Sequence, residues 1–242
     1  MSAGRSHAAA PRRSCQGRKT PGGDTDAADA HPARVLSVNV GGPTETLWHG
    51  RSVRSAIWKA PVTGPVRARG VNLVGDAQAD RQAHGGPDKA LYAYGAEDLE
   101  WWSGQLGLEL GPGSMGENLT TSGLDLSEAV VGERWQVGTV VLQVTQPRIP
   151  CYKLGIRMGD DRFPERFAEV RRHGVYLRIL AEGALQAGDE IQVVARPAHG
   201  FRAVEGAHIF YDQHQRAGEL LGVAELAESW HRWARRVLAR AE

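Results

Sequence analysis

The sequence has little cysteine and no long apolar run. Cys15 and Cys151 are the two cysteines among 242 residues, which excludes a disulfide framework and favours a reduced, cytoplasmic protein. No stretch reaches the roughly 18 apolar residues of a membrane span, so we expect no membrane partner. The 29 basic and 28 acidic side chains nearly balance, so charge gives no reason to expect binding to nucleic acid.

Several familiar motifs are also absent. The chain has no CxxC or HExxH zinc pattern, no GxGxxG or Walker A loop, and no GxSxG nucleophile elbow. The sequence therefore gives no indication of a zinc site, or of a nicotinamide or ATP site of familiar type. No flavin, haem or iron–sulfur motif is visible, so any redox chemistry would need a separate electron donor.

The beginning of the chain differs in composition from the rest. Residues 1–33 contain almost no large apolar side chain, so burial cannot offset the entropy of ordering them. We predict a disordered N-terminal extension. Arg12 and Arg13 are not followed by the apolar run of a twin-arginine export signal, so export is not expected.

The remaining pattern is one of short strands followed by helices. Connections too short for repeated βαβ crossovers favour a mostly antiparallel barrel or sandwich at 34–197, in a mainly β (α+β) fold. Helical periodicity predicts a small C-terminal helical domain at 198–242. The predicted strands are 35–40, 53–62, 66–74, 134–137, 140–144, 175–180 and 190–194. The predicted helices are 97–106, 163–172, 203–215 and 225–240.

Cys151 is the first candidate for chemistry. It lies in a loop stiffened by Pro147 and Pro150 and flanked by Arg148 and Lys153. Neighbouring positive charge favours the thiolate, the form in which cysteine binds a soft metal or acts as a nucleophile. The alternative is an ordinary buried cysteine, which behaves as a small apolar side chain.

A second candidate site lies at residues 76–90. Gly85 and Gly86 would allow backbone N–H groups to approach an anion closely, and Arg81, His84 and Lys89 would add donors or charge. The alternative is a polar β-turn, because the sequence Gly-Pro-Asp is common in turns.

A third candidate site lies at residues 113–121. Gly116 would allow close approach of a ligand, while Glu117 and Asn118 supply a carboxylate and an amide. Such a pair could recognise the donors and acceptors of a pterin ring. The alternative is a turn that leads into a strand.

Together and in this order, these segments resemble the MOSC domain family, named after the C-terminal domain of molybdenum cofactor sulfurases. The matching residues lie at 75–90, 116–119, 146–154, 174–178 and 188–189. The resemblance covers about residues 34–197. It is greatest to the bacterial YiiM-type branch, which is linked to resistance to N-hydroxylated base analogues such as hydroxylaminopurine.

The resemblance implies a β-barrel related to the pyruvate-kinase barrel domain, followed by a small three-helix domain. It implies a molybdenum cofactor (molybdopterin), with Cys151 as the catalytic residue and metal ligand. It also implies two-electron reduction of small N-hydroxylated substrates to amines or amidines, with electrons from a separate reductase. The residues implied in cofactor binding are Arg81, His84, Gly85, Gly86, Lys89, Glu117, Asn118 and Arg148.

Two other functions remain open from the sequence. Cys151 could carry a persulfide in a sulfur carrier, or the protein could bind and deliver finished cofactor. The barrel could also be an interaction module without activity, although the intact candidate segments argue against this. The sequence leaves the oligomeric state open between monomer and homodimer.

Overall fold

Short strands make up most of the regular structure before residue 196. The computed structural model describes residues 32–78 and 85–240. Cys15 and almost all of the predicted N-terminal extension lie outside these residues. The strands are β1 (Arg34–Val40), β2 (Thr44–Trp48), β3 (Arg51–Ser55), β4 (Ala60–Val62), β5 (Val66–Arg69), β6 (Asn72–Leu73), β7 (Leu91–Gly95), β8 (Leu119–Ser122), β9 (Arg134–Val137), β10 (Val140–Pro147), β11 (Val175–Ala181), β12 (Gly183–Leu185) and β13 (Ile191–Ala195).

Helices lie between some strands and follow the last one. They are α1 (Ala96–Leu106), α2 (Tyr152–Met158), α3 (Phe163–Val170), α4 (Ala203–Tyr211) and α5 (Glu228–Leu238). Short 3-10 helices occur at Pro87–Lys89 and His214–Gly222. No helix within the described ranges is both long and apolar enough to cross a membrane.

The largest sheet has eight strands in the order β13-β9-β10-β11-β7-β8-β1-β4. Its neighbours are antiparallel except for β7 and β8, which are parallel. Backbone hydrogen bonds also link the beginning of β1 to the edge strand β13. The Val35 N–H donates to the Asp189 carbonyl (2.9 Å), and the Ile191 N–H donates to the Ala33 carbonyl (2.8 Å). These bonds join β1 to the beginning of β13, so the sheet closes into the expected barrel.

The barrel is filled by side chains that alternate inward along its strands. Trp135, Leu142, Leu177 and Leu119 are fully buried in this core. A second apolar cluster lies where α1, α2 and α3 cover one side of β7, and Trp102 and Phe167 stack within it. Together the two clusters fix β7 and β10, the strands that lead to the candidate site.

The C-terminal helices pack on the barrel. α4 contacts β10, and buried residues of α4, α5 and the 3-10 helix between them join the apolar core of the barrel. This contact places α5 close to the end of β10. The division of the chain at residue 197 stays a prediction.

Some sequence-predicted elements have different boundaries. The prediction of one strand at 53–62 is wrong, because the chain leaves β3 at Ser55 and begins β4 only at Ala60. The predicted strand 66–74 is two short strands, β5 and β6, paired as a hairpin. β7 was missed because all five of its residues are buried, which removes the alternation that marks a half-buried strand.

Two adjacent leucines test the packing of the C-terminal helices. Leu220 is 0% exposed and lies in the shared core, whereas Leu221 is 41% exposed. Leu220→Ala should lower the free energy of unfolding by about 2–5 kcal/mol, because it leaves a cavity. Leu221→Ala should change it by less than about 0.5 kcal/mol. Urea unfolding measures both, and equal losses for the two variants would contradict this packing.

Candidate functional site

Several separate segments of the chain line one cleft beside Cys151. The cleft has a volume of about 650 Å³, including its open mouth. Among the described residues on its walls, four side chains are cationic and one is acidic, which makes the cleft suited to an anionic ligand. Those five residues are Lys59, Lys89, Arg148, Lys153 and Asp76.

Cys151 lies between the end of β10 and the beginning of α2. It is the N-cap residue of α2, with an extended backbone (φ −129°, ψ 172°), and its side chain is half-buried. Four residues connect β10 to α2, and the last three are Ile149, Pro150 and Cys151. The loop is therefore short, and Pro150 stiffens it. The sequence predicted the loop but missed α2, which fixes one end of it.

Arg148 is a buried cation of the site. Its Nη1 donates to the Met115 carbonyl, and its guanidinium lies 4.7 Å from the centre of the Tyr92 ring. Burial alone would lower the pKa of Arg148, but its interactions with Tyr92, Tyr176 and Cys151 raise the pKa above its ordinary value. Arg148 therefore remains charged and supplies a fixed positive potential next to the thiol.

The opposite wall is held by the Asp76 carboxylate. Its Oδ1 accepts from the Gly41 N–H (2.9 Å) and from the Lys59 ammonium, and its Oδ2 accepts from Asn118 Nδ2 (3.0 Å). Burial lowers the pKa of Lys59, and the Asp76 carboxylate opposes this change. The network joins three distant segments at the cleft wall.

Asn118 connects this wall to the barrel. Its Oδ1 accepts from the Tyr92 N–H (3.2 Å), and its Nδ2 also donates to the Asn39 carbonyl (3.2 Å). Asn118 lines the cleft, but its amide is already engaged with protein groups. Its predicted role in binding a cofactor stays a prediction.

Glu117 lies beneath the cleft wall and is fully buried. Its carboxylate accepts from the N–H groups of Gly113 (2.6 Å) and Met115 (3.0 Å) and from the Thr120 hydroxyl (2.9 Å). Burial raises the pKa of Glu117, and these hydrogen bonds oppose that rise. These contacts give Glu117 a structural role in the turn, and its predicted role at a cofactor stays a prediction.

The glycines of the turn allow the chain to pass close to the loop between β3 and β4. Gly116 has a φ of 77°, and a Cβ there would come within 2.7 Å of Ile57 Cγ1. Ile57 and Gly116 both line the cleft. The sequence predicted that a ligand approaches closely at Gly116. At this wall Ile57 of the protein itself makes a close approach to Gly116.

The second candidate segment is described only in part. Arg81 and His84 lie outside the described residues, so their predicted roles remain predictions. The Gly86 N–H donates to Gln78 Oε1 (3.0 Å), and the predicted role of Gly85 and Gly86 in binding an anion stays a prediction. Gly85 and Gly86 are not among the residues that line the cleft, whereas Lys89 lines it. The bond from Gly86 to Gln78 orients the loop that presents Lys89.

Three residues of the site were not selected from the sequence. Lys59 lies in a segment without a distinctive motif, and Tyr176 lies in the matching segment 174–178 but was not chosen; the fold brings both to the cleft beside Cys151. Gln78 was part of a matching segment, and its Nε2 donates to the carbonyls of Val71 (2.9 Å) and Lys89 (3.1 Å). No group of three or more His, Cys, Asp and Glu within 32–78 and 85–240 is placed to hold a metal ion.

Comparisons with known proteins agree with this geometry. The MOSC domain profile matches residues 80–192. The YiiM protein of Escherichia coli is 34% identical over 188 residues, covering 74% of this chain and 82% of that protein. The chain belongs to the MOSC domain family.

A solved structure from this family has the same fold. YiiM from Geobacillus stearothermophilus superimposes with a TM-score of 0.72 at 28% identity, over 86% of this chain and 100% of that one. A protein of Gibberella moniliformis named a reductase is 32% identical over 152 residues, which are 61% of this chain but only 27% of that protein.

His173 was also missed from the sequence, and it supports the cleft from behind. Its Nδ1 lies 2.7 Å from the Arg148 carbonyl, and its ring is nearly fully buried. Burial lowers the pKa of His173 to about 4. The folded protein therefore holds this ring in its neutral form at neutral pH.

The low pKa predicts a loss of stability in acid. The unfolded chain protonates this histidine near pH 6.5, whereas the folded chain does so only near pH 4. Between these values the unfolded state binds more protons, so stability falls as pH falls, by on the order of 3 kcal/mol.

His173→Asn removes this titration and keeps a donor for the Arg148 carbonyl. Chemical unfolding measured from pH 7 to pH 4 should show a shallower loss of stability in the variant than in the parent protein. If stability falls with pH equally steeply in the two proteins, the lowered pKa of His173 is contradicted.

Proposed function

We propose that this MOSC protein binds the molybdenum cofactor in the cleft beside Cys151 and reduces N-hydroxylated compounds to amines. The observation that carries the proposal is the convergence of one thiol with several cationic side chains on a single cleft. Membership of the MOSC family and the fungal relative named a reductase support it.

The residues of the cleft suit this cofactor. A cysteine thiolate is a soft ligand of the kind that binds a metal also held by other sulfur atoms. Arg148, Lys89 and Lys153 supply the positive charge that a phosphate group on the pterin requires. Arg148 is buried and immobilised by Met115 and Tyr92, so its charge is oriented in advance.

The proposed reaction consumes two electrons and two protons for each N–O bond. R–NH–OH becomes R–NH₂, and the hydroxyl oxygen leaves as water. The cofactor, when bound, supplies the two-electron chemistry, while the protein orients the substrate and stabilises developing charge. Lys89 lines the cleft close to Cys151, where its ammonium would stabilise the departing oxygen.

Electrons for this reaction must come from outside the chain. We propose a separate electron-donor protein, because the sequence contains no recognisable flavin, haem or iron–sulfur motif. A reduced thiol at the centre of the site is consistent with a cytoplasmic location.

Cys151→Ala tests the proposal. Protein is expressed in cells that make the molybdenum cofactor and in cells that cannot, and the reduction of an N-hydroxylated base is measured with an artificial electron donor. The parent protein from competent cells should be active, and Cys151→Ala should lose activity at least 100-fold, because the removed thiolate is a metal ligand. Cys15→Ala is the matched control and should retain full activity.

Metal content separates the alternatives. Stoichiometric molybdenum without any reduction of substrate would contradict the reductase proposal and favour a cofactor-binding or delivery protein. Absence of molybdenum, with a persulfide on Cys151, would favour a sulfur carrier. Full turnover by Cys151→Ala would contradict the central role of this residue.

A further inference from the structure

A second pocket opens between the loop at 146–151 and the helices α4 and α5. Its volume is about 820 Å³ including its mouth. Lys89, Cys151 and Tyr176 line both this pocket and the cleft, so the two cavities share the wall that carries the thiol. We call the second cavity the side pocket.

Two faces of α5 are occupied by contacts within the protein. Trp230 and Ala234 are buried and pack in the core that the helices share with the barrel. On a second face, the Glu228 carboxylate lies 3.3 Å from His231 Nδ1 and 3.0 Å from Arg235 Nη1. The acidic residue of α5 is therefore engaged on this second face.

The third face of α5 turns toward the side pocket and carries positive charge. Ser229, Trp233 and Arg236 stand at i, i+4 and i+7 and line the pocket, and Arg232 lies on the same face, four residues before Arg236. Both arginines are exposed, and neither forms an ion pair with another described residue. Among the described residues, no acidic side chain lines the side pocket.

Apolar side chains adjoin these two arginines. Ile149, Phe210 and Trp233 are each half-buried and line the side pocket, and the rings of Phe210 and Trp233 lie 5.1 Å apart. We call Arg232, Arg236 and these three residues the α5 surface. Interfaces between proteins are enriched in arginine and aromatic side chains, and a positive surface favours partners of negative charge. The α5 surface has this composition, and it adjoins the wall that carries Cys151.

We infer that the α5 surface docks an acidic electron-carrier protein. This inference rests on the proposed function, which needs electrons from outside the chain, and it identifies that partner by its charge. Aspartate and glutamate side chains of the carrier face Arg232 and Arg236, and apolar groups of the carrier pack on Trp233. Docking here brings the prosthetic group of the carrier to the wall shared with the cleft. Two encounters with a one-electron carrier supply the two electrons for each N–O bond, and the two protons come from water.

The test measures binding of two acidic carriers, a [2Fe–2S] ferredoxin and a flavodoxin, to the full-length protein by surface plasmon resonance. Cytochrome c, a basic carrier, is the control probe. Arg232→Glu combined with Arg236→Glu reverses the charge of the α5 surface. Arg67→Glu combined with Arg69→Glu is the matched control, because these two arginines of β5 are exposed and line neither the cleft nor the side pocket.

At least one acidic carrier should bind the parent, with an affinity that falls as salt rises, because salt screens exposed charges. Reversal of charge on α5 should weaken this binding about tenfold, mainly through slower association, whereas the β5 control should stay within about twofold of the parent. Arg232→Gln combined with Arg236→Gln removes the charge with little effect on helix propensity and should weaken binding about threefold. Circular dichroism checks that each variant is folded.

Reduction of an N-hydroxylated base adds a second measurement. With a small artificial electron donor, the parent, the α5 variants and the β5 control should react at equal rates, because the α5 surface acts only on the carrier. With the reduced acidic carrier as donor, the rate should fall in the α5 variants alone.

Binding measured without turnover separates this inference from the proposed function. An acidic carrier that binds the parent but binds the α5 variants more weakly supports the α5 surface, even if no N-hydroxylated base is reduced. No binding of either acidic carrier, equal weakening by the α5 and β5 reversals, or equally tight binding of cytochrome c would overturn the inference. Reduction with the artificial donor would then leave the proposed function in place.

Discussion

The buried carboxylate of Asp76 joins the parts of the chain on which the site depends. It receives hydrogen bonds from Gly41 after β1, from Lys59 before β4, and from Asn118 before β8. A buried charge is stable only when it is paired and hydrogen-bonded, so these three segments must meet for the fold to be favourable. Their meeting creates the wall that faces Cys151. The same polar network therefore holds these three segments together and determines the shape of the cleft.

Cys151 lies where two different environments adjoin. On one side, Arg148, Lys153 and the Asp76 network make the cleft polar and cationic. On the other side, Phe210, Trp230 and Trp233 contribute aromatic rings to a pocket that Gln146 and Arg236 also line. The barrel provides the first environment and the C-terminal helices provide the second.

The sequence predicted the barrel class and the loop that carries Cys151, because both depend on local signals, and the reactivity of Cys151 stays a prediction. The hairpin at Gly138 and the loop at Cys151 are read directly from turn residues and prolines. The partners of the site could not be read in this way. The Gly86 N–H is bonded to Gln78, and Glu117 holds a turn beneath the cleft wall. The ligand-binding roles predicted for these two residues stay predictions. Lys59, His173 and Trp233 reach the site only through contacts between residues distant in the chain. These long-range contacts carry no pattern in a single sequence.

X-ray absorption at the molybdenum edge tests the central claim, that Cys151 holds the metal of a cofactor bound in this cleft. The measurement counts sulfur neighbours of molybdenum in protein purified from cofactor-producing cells. We expect three sulfur neighbours in the parent, two from the cofactor and one from Cys151, and two in Cys151→Ala reconstituted in the same way. The same sulfur count in both proteins, or no molybdenum bound to the parent, would contradict the account.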